Sequence, residues 1–128
     1  MIDTADLVPG SRLTKRYAPI ITGRPAFISF QTGAELLYGA LRRGRGTARM
    51  LKLEAKIRQV EVVHTGPELL HICAQLRADC EAAGHALGQR EHNADRWIAA
   101  TAIRLGVPVV SNDAIFHGVP GLTLESAP

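Results

Sequence analysis

The chain is expected to form an α/β fold, a three-layer α/β/α sandwich around a mainly parallel central sheet. Two observations lead there. Short apolar runs rich in β-favouring residues alternate with longer segments of helical periodicity, the order that builds a parallel sheet covered on both faces. Several of these runs give way to a helix start or a turn, and four such junctions carry an acid: Asp3, Glu35, Asp95 and Asp113. The 128 residues are most simply one domain, spanning 1–128, which can bury roughly two thirds of its unfolded surface without staples.

Met1 and Ile2 read as the last residues of a first strand, with Asp3-Thr4 at its end. Over 5–19 the pair Pro9-Gly10 interrupts the pattern, so one or two short helices are expected. Residues 26–30, AFISF, form a compact apolar run and read as a strand. A helix then opens over 31–35 and carries Leu36, Leu37, Ala40 and Leu41 at helical spacing until Gly44 and Gly46 close it. Thr47 starts another, with Met50, Leu51, Leu53 and Ile57 on its apolar side, followed by a strand over 60–63. Thr65-Gly66-Pro67-Glu68 supplies a cap, an early proline and an early acid for a helix that runs to Ala83, with Gly84 as its stop. A polar loop is expected over 85–92. Asn93 caps the next helix, which is apolar nearly all round from Trp97 to Leu105 and is therefore buried, with Trp97 in the core. Val109 and Val110 form a short strand ending in Ser111-Asn112-Asp113, and 122–124 add a last one.

The composition, 46% apolar and 21% charged, is that of an ordinary globular protein. Every apolar run is too short to span a bilayer, and the first ten residues lack the basic-then-apolar pattern of a secretory signal, so a cytoplasmic protein is expected. Cys73 and Cys80 lie within one helical pattern with Cα atoms about 10 Å apart, too far for a disulfide, and read as buried thiols. The five histidines show no zinc-binding spacing. Charge is unevenly spread. Between Arg42 and Arg58 stand Arg42, Arg43, Arg45, Arg49, Lys52, Lys56 and Arg58 against Glu54 alone, a local net charge of +6. Such a run suits the phosphates of a polyanion, although a solvated helix face looks the same.

In an open α/β fold the carboxyl ends of the strands share one rim, so acids remote in sequence can meet there. Two carboxylates about 5 Å apart repel by roughly 3 kcal/mol at an effective dielectric of 20, a conflict that a hard divalent cation removes. Oxygen ligands suit Mg²⁺ or Mn²⁺, which commonly serve phosphoester chemistry. Each acid also has a plainer explanation. Thr32 to Glu35 fits a capping box, Asp95 suits the positive end of a helix dipole, Asp113 suits a turn, and Asp3 can simply be hydrated. Other chemistries lack their motifs: there is no GxxxxGK[ST], GxGxxG or GxSxG, and Asp3 and Asp6 are three apart where a phosphoaspartate enzyme needs two.

These residues resemble the PIN domain family, and within it the VapC-type toxins of bacterial toxin–antitoxin pairs. Asp3-Thr4 resembles the end of the family's first strand, and Glu35-Leu36-Leu37-Tyr38-Gly39 its Glu-Leu-x-x-Gly helix. The stretch Asp95-Arg96-Trp97-Ile98-Ala99-Ala100-Thr101-Ala102 is similar to the Asp-x-x-Ile-Ala-Ala-x-Ala helix. The segment from Val109 to Phe116 resembles the last Asp-containing strand and turn, and Val119-Pro120-Gly121-Leu122 is similar to the family's closing segment. Ala5 departs from the usual Asn, and the first strand is short, so residues upstream of Met1 are expected.

The resemblance implies Mg²⁺- or Mn²⁺-dependent endoribonuclease cleavage of RNA. It makes Asp3 and Asp95 direct ligands, and Glu35 and Asp113 further ligands or groups that orient water. Thr4 and Ser111 stand behind them as donors, or cap local backbone. Arg42, Arg43, Arg45 and Arg49 become an RNA-docking surface. A homodimer and a neutralising VapB-like antitoxin are implied partners. The alternative is a PIN-like module that holds RNA or protein with weakened catalysis.

Overall fold

The structure, a computed structural model, describes residues 27–126 apart from Arg43, Arg45 and Gln59. The expected first strand and the short helices over 5–19 lie outside the described residues.

Strand β1 (Phe27–Ser29) pairs in parallel with β2 (Glu61–Val63), Ile28 opposite Val62. The AFISF run yields only three strand residues because Ser29 turns the chain into a helix. Its Oγ accepts the Thr32 N–H at 3.1 Å and donates to Thr32 Oγ1 at 3.1 Å. Helix α1 (Phe30–Arg42) therefore starts one residue before the sequence suggests, and α2 (Thr47–Arg58) follows across a turn in which Gly44 has a positive φ of 59°.

Helix α3 (Pro67–Ala83) opens behind Gly66, whose lack of a side chain leaves the cap to backbone alone. It stops at Gly84, where a left-handed φ of 70° lets the next amides close onto Cys80 and Glu81 carbonyls, as expected. The polar stretch that follows is more ordered than a loop. It makes two 3₁₀ turns, Ala86–Gly88 and Arg90–His92, and buries Leu87 completely. Gly88 lies so close to α3 that a Cβ there would stand 2.9 Å from the Glu81 backbone nitrogen.

Helix α4 (Asn93–Leu105) is capped at His92, one residue earlier than expected, and Asn93 uses its side chain elsewhere. Strand β3 (Val109–Val110) pairs in parallel with β4 (Leu124–Glu125). The last strand lies later than the 122–124 run because Leu122 is held in a turn by the Val119 carbonyl. A third 3₁₀ turn, Ala114–Phe116, follows β3. Both strand pairs among the described residues are parallel, consistent with the α/β expectation.

The larger core forms where α3 and α4 pack, with Leu69, Cys73, Leu76 and Cys80 meeting Ile98, Ala99 and Ala102, and with Val109 and Phe116 completing it. Alanines on α4 let the two helices approach closely. A second cluster joins Ile28, Leu36, Ala40 and Leu53 beneath α1 and α2. Both cysteines are buried and unbridged. No helix among the described residues is long and apolar enough to cross a membrane.

Candidate functional site

Helices in a parallel α/β fold run back against the strands, so helix starts and strand ends share one edge. Here α1 leaves the end of β1 directly, and α4 packs against α1, β1 and β3. Phe30 at the start of α1 meets Trp97 in the first turns of α4, ring centroids 5.6 Å apart and 68° between planes, an edge-to-face contact. Trp97 is thus partly buried against the core, as its apolar helix suggested. The contact brings the start of the helix with Glu35 beside the start of the helix with Asp95.

Glu35 is exposed in the second turn of α1. Its capping-box explanation fails, because the cap is Ser29 and Thr32 is already inside the helix, fully buried. Asp95 occupies the first turn of α4, half-buried, where its charge meets the positive end of the helix dipole. Its Oδ2 lies 3.3 Å from His92 Nδ1. Asp113 is exposed just beyond β3, and its Oδ1 accepts the Ile115 N–H at 3.0 Å, starting the 3₁₀ turn. Ser111 Oγ accepts the Asp113 N–H at 3.0 Å, and Ser126 Oγ donates to the Ser111 carbonyl at 2.8 Å. Asp3 and Thr4 lie outside the described residues.

Two side chains that the sequence reading passed over organise this edge. Arg96, next to Asp95, is buried at 2% exposure. Its Nη1 donates to the Leu87 carbonyl at 3.0 Å and to the Gln89 carbonyl, and Nη2 donates to Asn93 Oδ1 at 3.3 Å. A buried guanidinium is tolerable only with such partners, and its reward is a fixed 87–93 segment. A cation in the first turns of a largely apolar helix was the available signal. His85 acts on the other side. Its Nδ1 accepts the Leu87 N–H at 3.0 Å, so the proton sits on Nε2, which donates to the His117 carbonyl at 2.6 Å. The ring thereby ties the segment after α3 to the turn that follows Asp113.

Carboxylates fit Mg²⁺ or Mn²⁺ in kind. Among the described residues, however, no three His, Cys, Asp or Glu side chains are grouped to hold an ion. Two further acids, Asp3 and Asp6, stand in the sequence outside the described residues. Of the basic run, Arg42 and Arg49 are exposed, while Arg43 and Arg45 lie outside the described residues.

A model of the PIN domain matches residues 1–122. The chain belongs to the PIN domain family. Solved structures share its fold over nearly the full length. VapBC2 from Rickettsia felis, bound to a DNA fragment from its promoter, matches with a TM-score of 0.80 at 22% identity, covering 100% of this chain and 98% of that one. DNA-bound VapBC from Salmonella typhimurium matches with a TM-score of 0.80 at 26% identity, over 98% of this chain and 96% of that one. VapBC-5 from Mycobacterium tuberculosis, of the VapBC family of toxin–antitoxin systems, matches with a TM-score of 0.68 at 24% identity, over 98% and 94%. No curated protein matches by sequence. In this PIN domain the helix with Asp95 is the part most legible from sequence, and its His92 and Arg96 contacts are what the structure adds.

Proposed function

We propose that this PIN domain is a VapC-like toxin: a cytoplasmic endoribonuclease that cleaves RNA with Mg²⁺ or Mn²⁺ and is neutralised by a VapB-like antitoxin. The observation that carries this reading is the half-buried Asp95 at the start of α4, beside the helix bearing Glu35, in a fold shared with chains of VapBC complexes. Asp3 and Asp95 are the direct ligands, and Glu35 and Asp113 complete the set or orient the attacking water. Thr4 and Ser111 stand behind them. When bound, the ion lowers the pKa of water and stabilises charge on the phosphoryl oxygens.

RNA is drawn to Arg42, Arg43, Arg45 and Arg49 through its phosphates. The exposed apolar residues Leu37, Tyr38 and Leu41 on α1, with Leu51 on α2, offer surface to a protein partner, whether the antitoxin or a second copy in a homodimer.

The test is cleavage of structured RNA by purified protein freed of any antitoxin. Cutting is expected only with Mg²⁺ or Mn²⁺, and Asp95→Asn is expected to abolish it while circular dichroism stays unchanged. Metal-independent cutting, or full activity in the variant, contradicts the proposal. A second reading, a PIN-like module with weakened catalysis, draws on Ala5, which stands where the family commonly has Asn. It requires RNA or protein binding without cleavage in the same assay.

A further inference from the structure

We propose that His92 is a positioning residue for Asp95, restricting the rotation of the carboxylate that would meet an ion. The inference rests on the reading of Asp95 as a metal ligand. A carboxylate only accepts, so at the 3.3 Å contact the hydrogen belongs to His92 Nδ1, which donates to Asp95 Oδ2. The two side chains are 30% and 29% exposed, shielded enough for the bond to restrict the carboxylate and open enough for an ion to reach it.

The ring has its own support. His92 ends the 3₁₀ turn Arg90–His92, and its amide donates to the Gln89 carbonyl at 3.2 Å. That same carbonyl, with the Leu87 carbonyl and Asn93 Oδ1, is gripped by Arg96. The guanidinium next to Asp95 is therefore committed to the segment that carries His92. Arg96 fixes the turn, the turn fixes the imidazole, and the imidazole fixes the acid. Partners behind a ligating carboxylate commonly contribute about 10–100-fold to metal affinity.

The test measures Mn²⁺ affinity by isothermal titration at one pH for the wild type, His92→Ala and His92→Asn, with melting curves as a fold control. His92→Ala is expected to weaken binding by about 10-fold or more. His92→Asn is expected to recover most of it, because the Asn amide nitrogen stands close to where Nδ1 was. Wild-type affinity in His92→Ala overturns the inference, as does a folded His92→Asn as weak as the alanine variant. A wild type that binds no Mn²⁺ overturns the ligand assignment itself, which separates that failure from failure of the His92 role.

Discussion

Asp95 and Glu35 are held differently. Asp95 is half-buried and bonded to a neighbouring imidazole, whereas Glu35 stands exposed one turn further into its helix. Both were legible as acids near helix starts, but the contact that fixes Asp95 was not, since His92 was read only as part of a polar loop. The cysteines show the opposite case, because helical spacing excluded a disulfide and the two were read as buried thiols, which they are. Burial pushes both thiols above their ordinary range, against the pull of Arg96 on each and of Arg77 on Cys73; Asp79 adds to the rise at Cys80. A group raised in the folded state contributes stability that is fully present below its unfolded pKa and lost as pH rises through the folded value. The melting temperature is therefore expected to fall as pH climbs through and beyond the ordinary thiol range. Alkylation by iodoacetamide near neutral pH is expected to be slow until the protein unfolds. Melting curves and labelling rates across that range check both.

Among the elements, α4 carries the most consequence. Its apolar stretch predicted burial correctly, and its small residues admit α3 closely. What periodicity could not show is that one member of this helix, Arg96, is charged and still buried, because its acceptors are backbone carbonyls whose position depends on tertiary packing. Arg96→Met keeps the volume and removes the donors. It is expected to cost about 3 kcal/mol, mostly from the charge-assisted hydrogen bonds lost at the Leu87 and Gln89 carbonyls, and to speed hydrogen exchange over 86–92. Chemical denaturation and exchange mass spectrometry measure the two effects. The boundaries that shifted have local causes. Ser29 captured the Thr32 amide and started α1 early, and the Val119 carbonyl held Leu122 back from β4. Side-chain caps and turn bonds compete with strand pairing at this scale, and composition does not rank them.

For the molecule as a whole, alternating apolar periods were enough to give parallel strand pairs and the α/β class. Family membership was also legible, chiefly through the run from Asp95 to Ala102. The division of the core into two clusters was not, because it depends on contacts between segments far apart in sequence. The basic run is a property of the same scale, since a polyanion samples a whole face. Changing Arg42, Arg43, Arg45 and Arg49 to Ala is expected to weaken RNA binding and to flatten its salt dependence, by a slope of roughly 0.7 per lost phosphate contact for a single strand. An unchanged slope returns the run to a solvated face.

The central proposal is that segments remote in sequence bring their carboxylates onto one hard cation, with Asp3 and Asp95 as its direct ligands. A crystal soaked in Mn²⁺ tests it most directly through the anomalous signal of the ion. The expected result is a manganese peak about 2.1 Å from oxygens of both Asp3 and Asp95, close to the distance at which a small hard cation binds oxygen. A manganese peak elsewhere, or Asp3 well away from the other three acids with no shared pocket, contradicts the account.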